Sequence, residues 1–190
     1  MLRDLIEKNR SYRRFWQETA VDYETLRQLV DLARLSASAG NMQPLRYILS
    51  CDPKKNSLVF QNLSWARSIE NWPGPPEGER PSAYIVILED KQVEHPLHCD
   101  HGIAAQSMLL GATGKGLGGC IIGAINKPNL RQVLIIPDRY EILLVFALGK
   151  PKEKVVVESL EPSGCTKYWR DSEEVHHVPK RTLGDVILDP

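Results

Sequence analysis

The chain has no surplus of either charge: its 190 residues hold 24 Lys and Arg against 24 Asp and Glu. A surface that collects nucleic acid or an anionic membrane needs a basic excess, so neither is the expected partner, although a local cluster of cations stays possible. Long apolar runs are also missing. The longest, Ala83 to Leu88 and Ile142 to Leu148, have the length of strands and fall well short of a bilayer span. The opening residues, Met1 to Lys8, are charged throughout and lack the apolar core of an export signal, which makes a cytoplasmic location the expectation. Cysteine is scarce. The four present, Cys51, Cys99, Cys120 and Cys165, form no C-x-x-C pair and are expected to be reduced thiols. There is no G-x-S-x-G elbow, no cysteine in a catalytic setting, no internal repeat and no low-complexity tract, so a side-chain nucleophile has no support.

What is present describes one globular domain, with 42% apolar and 25% charged residues in a length suited to a single core. Leu2, Leu5 and Ile6 have helical spacing and predict a short helix ending near Asn9. Asp22 reads as an N-cap for a second helix carrying Leu26, Leu29, Val30 and Ala33. Ser36 to Asn41 is a small-residue loop, and Tyr47 to Cys51 a strand. Trp65 to Pro81, with Trp72-Pro73-Gly74-Pro75-Pro76, sustains neither helix nor strand and reads as a surface loop or lid. Ala83 to Leu88 is a buried strand, Gly102 to Thr113 a central helix apolar on nearly all sides, Cys120 to Ile122 a short strand, and Tyr140 to Leu148 a third strong one. Lys127-Pro128 opens another helix. Helices and strands interleave without regular βαβ spacing, which favours α+β.

Four clusters could carry chemistry. Arg10-Ser11-x-Arg13-Arg14 follows a helix, where guanidinium forks and a hydroxyl can surround a phosphomonoester; an ordinary basic helix end has the same composition. Gly114-x-Gly116-x-x-Gly119 matches the dinucleotide fingerprint in letters only, because it follows a helix and precedes a strand, the reverse of the context that motif needs. A P-loop fails too, since Leu109 stands where its first glycine belongs. His95-x-x-His98-Cys99-Asp100-x-His101 gathers possible metal ligands, but no second pair completes a site and no metal is expected; His176-His177 is weaker still.

Taken in order, Arg10-Ser11-Tyr12-Arg13-Arg14-Phe15, Ser36-Ala37-Ser38-Ala39-Gly40-Asn41-Met42-Gln43-Pro44 and Gly116-Leu117-Gly118-Gly119-Cys120-Ile121-Ile122-Gly123 resemble the nitroreductase family of FMN oxidoreductases. The resemblance covers most of residues 1–150 and the basic element near Lys180. It implies an α+β fold, an αβα sandwich around a mostly antiparallel sheet, in an interlocked homodimer with FMN at the interface. The whole chain, 1–190, would be one FMN-binding domain with a C-terminal arm over about 151–190. By position in the motifs, Arg10, Ser11 and Arg13 would meet the phosphate, ribityl chain or pyrimidine edge. Ala37, Ser38, Ala39 and Asn41 would reach the flavin from the other subunit, Ile121, Ile122 and Gly123 would lie along the ring near N5, and Lys180 and Arg181 would return to the phosphate. Asn9, Leu45 and Ala37 depart from residues frequent in the family, and the Trp65 to Pro76 segment matches nothing in it.

The activity so implied is hydride transfer from NADH or NADPH through flavin N5 to a small electrophile, a nitroaromatic or quinone, by a ping-pong route with no catalytic side chain. The alternatives are a specialised flavin enzyme of the same fold, of dehalogenase or flavin-fragmenting type, and a non-catalytic FMN-binding dimer. A metal-binding module on His95 to His101 comes last.

Overall fold

The computed structural model describes residues 1–66, 68–69, 71–94, 99–161 and 164–188. In chain order the elements are α1 (Leu2–Lys8), β1 (Phe15–Trp16), α2 (Tyr23–Arg34), a 3-10 turn (Ala39–Asn41), β2 (Leu45–Ser50), α3 (Pro53–Phe60), β3 (Ala83–Asp90), α4 (Asp100–Gly114), β4 (Gly118–Ile122), α5 (Lys127–Val133), β5 (Tyr140–Pro151), β6 (Val155–Ser159), β7 (Trp169–Arg170), β8 (His176–Lys180) and α6 (Leu183–Val186). None of the described helices is long and apolar enough to cross a membrane.

β5 is the hub. It pairs antiparallel with β3 over Tyr140 to Leu148, and along its other edge with β4 through Val145 to Gly149 and with β1 through Lys150 and Pro151. β2 adds beyond β3. Strand alternation divides the interior in two. Ala83, Ile85 and Ile87 turn to one face, where α2 and α4 cover them with Leu26, Leu29, Ala105 and Met108. Tyr84, Val86 and Leu88 turn to the other, packed with Val59 of α3 and Leu130 of α5. The continuous apolar run of β3 is thus buried on both sides, and the result is the αβα sandwich expected from the sequence.

Local signals place most element ends. The Asp22 carboxylate accepts from the Thr25 amide at 2.6 Å and starts α2. β2 begins at Leu45, two residues before the expected strand, because it follows the register of β3. α3 is an element that the sequence reading did not assign, although Asp52 caps it at the Lys55 amide and Pro53 opens it. The small sheet near the C-terminus was not expected either: β6 runs parallel to β8, and β7 antiparallel to it.

The glycines that imitate a nucleotide motif have a packing role. Ser11 bridges to Gly119, and the Tyr12 amide donates to the Gly119 carbonyl at 3.0 Å, which holds the arginine segment against the start of β4. A Cβ on Gly119 would stand 2.1 Å from the Phe146 ring and 2.8 Å from the Ala147 carbonyl. Gly119→Ala is therefore expected to cost about 1–3 kcal/mol by overpacking, read as a lower denaturation midpoint. Gly102→Ala is the control. It sits in α4 with no atom within 4 Å of the added carbon, and should leave stability unchanged or raise it by up to about 1 kcal/mol.

One ring ties the small sheet together. His177 of β8 meets Glu158 of β6 through Nδ1 at 2.9 Å and Asp171, just past β7, through Nε2 at 3.2 Å. It also stacks on Trp169 of β7, with centroids 4.1 Å apart. Only an imidazolium donates from both nitrogens, and the two carboxylates hold the His177 pKa above its ordinary value. A raised folded-state pKa means that the clamp contributes in full below about pH 6.5 and is lost as pH climbs through the folded value. Melting temperature should accordingly fall on going from about pH 6 to about pH 8.5, with a shallower fall in His177→Gln. Equal slopes in the two proteins would remove the clamp from the account.

Candidate functional site

The arginine segment, α4, β4 and β8 enclose a cavity of about 350 Å³. Asn9, Arg10, Ser11 and Arg13 line it from the N-terminal segment, Gln106 and Leu109 from α4, and Ile121 from β4. Tyr168, His176, Val178 and Lys180 complete the wall, the last three presented by the same face of β8. Three cations face this space and no carboxylate lines it. Leu109, Ile121 and Val178 give it an apolar side.

Charges outside the cavity are arranged to leave those cations available. Glu153, whose side chain is fully buried, accepts hydrogen bonds from the Arg13 amide, from the Arg14 amide at 3.2 Å and from Arg170 Nη2 at 2.9 Å. The Arg13 guanidinium turns elsewhere. It lies 4.7 Å over the Tyr168 ring, and its Nη1 is 3.3 Å from Nε2 of His176. His176 is 1% exposed, and its pKa falls to about 4, chiefly through burial, then through Arg13, Arg170 and His177. The ring is neutral at pH 7. A guanidinium can only donate, so Nε2 is the acceptor and the proton sits on Nδ1, a buried N–H with no protein partner. Arg10 is similar: Nη2 caps the Ile6 carbonyl at 2.6 Å, while Nε is buried and unpartnered.

Arg14, also in the motif, faces away. It pairs with Glu79, which Lys152 also holds at 2.9 Å, and these contacts draw the Glu79 pKa down to about 2. Its role is structural, joining β1 to the segment before β3.

The small-residue loop builds a separate cavity of about 160 Å³, lined by Ala37 and Ser38 together with Gln43, Tyr47, Asp100 and Ala104 among others. Asp100, at the start of α4, organises it. The Ser38 hydroxyl and the Ala39 amide both donate to its buried carboxylate, the latter at 3.1 Å, and the Gln43 amide reaches Ser38 Oγ at 2.9 Å. Positive φ at Gly40, Asn41 and Gln43 makes the tight path possible. The Tyr47 phenol is pushed up to about 12, by burial first and by the Asp100 charge second.

Within one chain the expected site residues therefore fall into two groups. Arg10, Ser11, Arg13, Ile121 and Lys180 share the first cavity, while Ala37 and Ser38 line the second, with Ala39 and Asn41 on the 3-10 turn beside it. Ile122 turns its side chain into the core, and Gly123 is exposed just beyond β4. Arg181 is exposed and is not part of the cavity lining, whereas its neighbour Lys180 is. Sequence reasoning did not assign Gln106, Glu153 or Tyr168, and it named Asp100 and His176 only among possible metal ligands. Gln106 could have been suspected as a polar residue on an otherwise apolar helix, and Asp100 as an acid at a helix start. Glu153 and Tyr168 carry no such local signal. His95 and His98 of the possible metal cluster lie outside the described residues; among the described ones, no three His, Cys, Asp or Glu side chains gather as a metal site.

Comparison with known proteins agrees with this architecture. The family model "Nitroreductase family" matches residues 6–150. A protein of Archaeoglobus fulgidus described as "Putative NADH dehydrogenase/NAD(P)H nitroreductase" is 24% identical, over 74% of this chain and 80% of its own length. The 5,6-dimethylbenzimidazole synthase of Rhodospirillum rubrum is also 24% identical, over 88% of each chain. Among solved structures, an FMN-dependent nitroreductase of Clostridium difficile superimposes with a TM-score of 0.64 at 23% identity, covering 79% of this chain and 87% of its own. With the family model spanning most of the sheet, α2, α4 and the arginine segment, the chain belongs to the nitroreductase family.

Proposed function

We propose that the chain is an FMN-dependent oxidoreductase that passes reducing equivalents from NADH or NADPH to a small electrophilic acceptor, a nitroaromatic or quinone. The observation that carries this reading is the first cavity: three cations, two unpartnered buried N–H donors and an apolar flank, with no carboxylate on its wall. Cations and donors collected in this way need a counter-anion to offset their desolvation, and a phosphomonoester supplies one. Arg10, Arg13 and Lys180 are assigned to the phosphate, with the Ser11 hydroxyl beside them. The backbone of Ile121 to Gly123 and the side chains of Ile121, Leu109 and Val178 are assigned to the ring. When bound, FMN supplies the hydride chemistry at N5, so the protein's part is to grip, orient and exclude water. Arg181, one residue past the cavity, adds long-range positive potential.

Ala37, Ser38, Ala39 and Asn41 do not reach this cavity within their own chain. Their place in the site, as the motif implies it, requires a second copy, and a homodimer with FMN at the interface is part of the proposal. The proposed working unit is the whole chain, 1–190, as one flavin-binding domain with residues 151–190 as its arm.

A second reading is favoured by one observation. The dimethylbenzimidazole synthase covers 88% of this chain, more than the nitroreductase relative does. Flavin fragmentation would consume the cofactor itself, so the two readings differ in one measurement. FMN reduced anaerobically with NADH or NADPH and then exposed to air should be recovered intact under the first reading and lost to a benzimidazole under the second, as followed by liquid chromatography.

For the site, Arg10→Ala combined with Lys180→Ala is expected to weaken FMN binding by roughly a hundred-fold or more, since each charged hydrogen bond is worth about 1.5–3 kcal/mol. Retained flavin fluorescence quenching at wild-type concentrations in the double variant would refute the assignment.

A further inference from the structure

A third cavity, of about 330 Å³, opens on the α3 side of the sheet, away from the α2 and α4 layer that the flavin reading uses. Arg80 and Ser82, just before β3, and Tyr84, its second residue, line it together with Pro81. Their polar atoms are peculiar. Arg80 Nε, Ser82 Oγ and the Tyr84 hydroxyl are each buried without a hydrogen-bond partner, and Tyr84 is 0% exposed. Three such atoms on one wall are unusual, because a buried donor left unpaired costs about 1–3 kcal/mol.

The neighbouring polar groups are already engaged and do not relieve them. Asn56 takes the Ser50 hydroxyl at 2.7 Å and donates to the Ser82 carbonyl at 2.7 Å. Gln17 Oε1 accepts from the amides of Gly78 and Arg80. The Arg80 guanidinium stacks 4.4 Å over the Phe60 ring and has no ion-pair partner among the described residues. Burial keeps the Tyr84 phenol protonated, against the pull of Arg80. The wall therefore offers one permanent cation and two neutral hydroxyls, all able to donate. The single carboxylate on the lining, Glu18, is exposed. Pro53, Phe60 and Pro81 make the remaining surface apolar.

We propose that this cavity is a binding site for a small organic carboxylate, its anionic head between Arg80, Ser82 and Tyr84 and its apolar body against Phe60, Pro53 and Pro81. Donors on three sides select an acceptor-only head, and a guanidinium selects a charged one. The apolar walls favour a carbon chain over inorganic phosphate, which would leave them wet.

The test uses the full chain as purified and sodium hexanoate as the probe, with hexanamide as its neutral counterpart and inorganic phosphate as the bare anion, all by calorimetric titration. Hexanoate is expected to bind at least ten-fold more tightly than hexanamide or phosphate, without altering the visible flavin spectrum. Arg80→Gln and Tyr84→Phe should each weaken it by ten-fold or more. Equal binding of acid and amide overturns the proposal, as does hexanoate binding that both variants leave intact or that shifts the flavin spectrum. Tyr84→Phe decides a further point, since deleting a hydroxyl that nothing contacts should leave or raise the melting temperature. A raised melting temperature together with unchanged hexanoate affinity would make the hydroxyl a packing feature only and overturn the site. Ser82→Ala, with Arg80→Gln, gives the same reading if the Tyr84 variant does not fold.

Discussion

Glu153 receives the Arg13 and Arg14 amides and the Arg170 guanidinium on a side chain shut off from solvent. Much of the molecule's functional geometry follows from that one carboxylate. It stands just past the end of β5, where the hub strand has finished pairing with β1, and it accepts from two regions far apart in sequence. Arg13 and Arg14 belong to the N-terminal segment, Arg170 to β7. A buried charge with its partners intact is tolerable, while one stripped of a partner typically costs about 3–5 kcal/mol. The N-terminal segment and the C-terminal sheet are thus fastened to each other, and the cavity between them takes its shape from that joint. Because Glu153 is occupied by backbone amides on the Arg13 side, it orients that residue without neutralising its guanidinium.

The arginines of the opening motif consequently divide. Arg14 is absorbed by Glu79 and Glu174 and serves packing. Arg13 is braced by an aromatic face and a neutral histidine, neither of which cancels its charge. Like charges gathered this closely repel, and the fold offsets the repulsion by making His176 neutral. Burial alone pushes a histidine toward the uncharged form, and the two flanking arginines push it further. The neighbouring His177 is pushed the opposite way, toward the charged form, by two carboxylates on the far face of the same strand. Two adjacent histidines of one short strand have their pKa values moved in opposite directions because a strand sends successive side chains to opposite environments.

That contrast also explains what the sequence could and could not reveal. The start of α2 at its capping Asp22, strands with unbroken apolar runs and the proline-rich loop were legible because their causes are local. The arginine segment, the small-residue loop and the glycine turn were legible as a set in fixed order, which carried the resemblance. The C-terminal sheet was hidden, since β7 has two residues and β6 and β8 alternate weakly; their pairing comes from tertiary contacts such as the His177 clamp. His176 could be read only as a possible ligand, because nothing in His176-His177 announces that one ring would back an arginine. Arg181 and Lys180 look equivalent in sequence, but β8 ends at Lys180, which shares a face with Val178 and His176 on the cavity wall, and Arg181 lies beyond the strand.

The glycines at 118 and 119 connect this site to the core. Their letters suggest a phosphate loop, yet the space at Gly118 is taken by the Tyr12 ring and Pro151, and at Gly119 by Phe146. Backbone touches backbone there, so the arginine segment lies against β4 with Ile121 two residues further along the same strand. A side chain at Gly119 would press on the Phe146 ring and the backbone of β5, and one at Gly118 on Tyr12 of the arginine segment. The cation-lined cavity and the apolar surface beside it are therefore set at a fixed spacing by the close approach that two glycines permit. That pairing of cations with an adjoining apolar wall is obtained here from the arginine segment, α4, β4 and β8, and the nucleotide fingerprint that the glycine letters suggest plays no part in it.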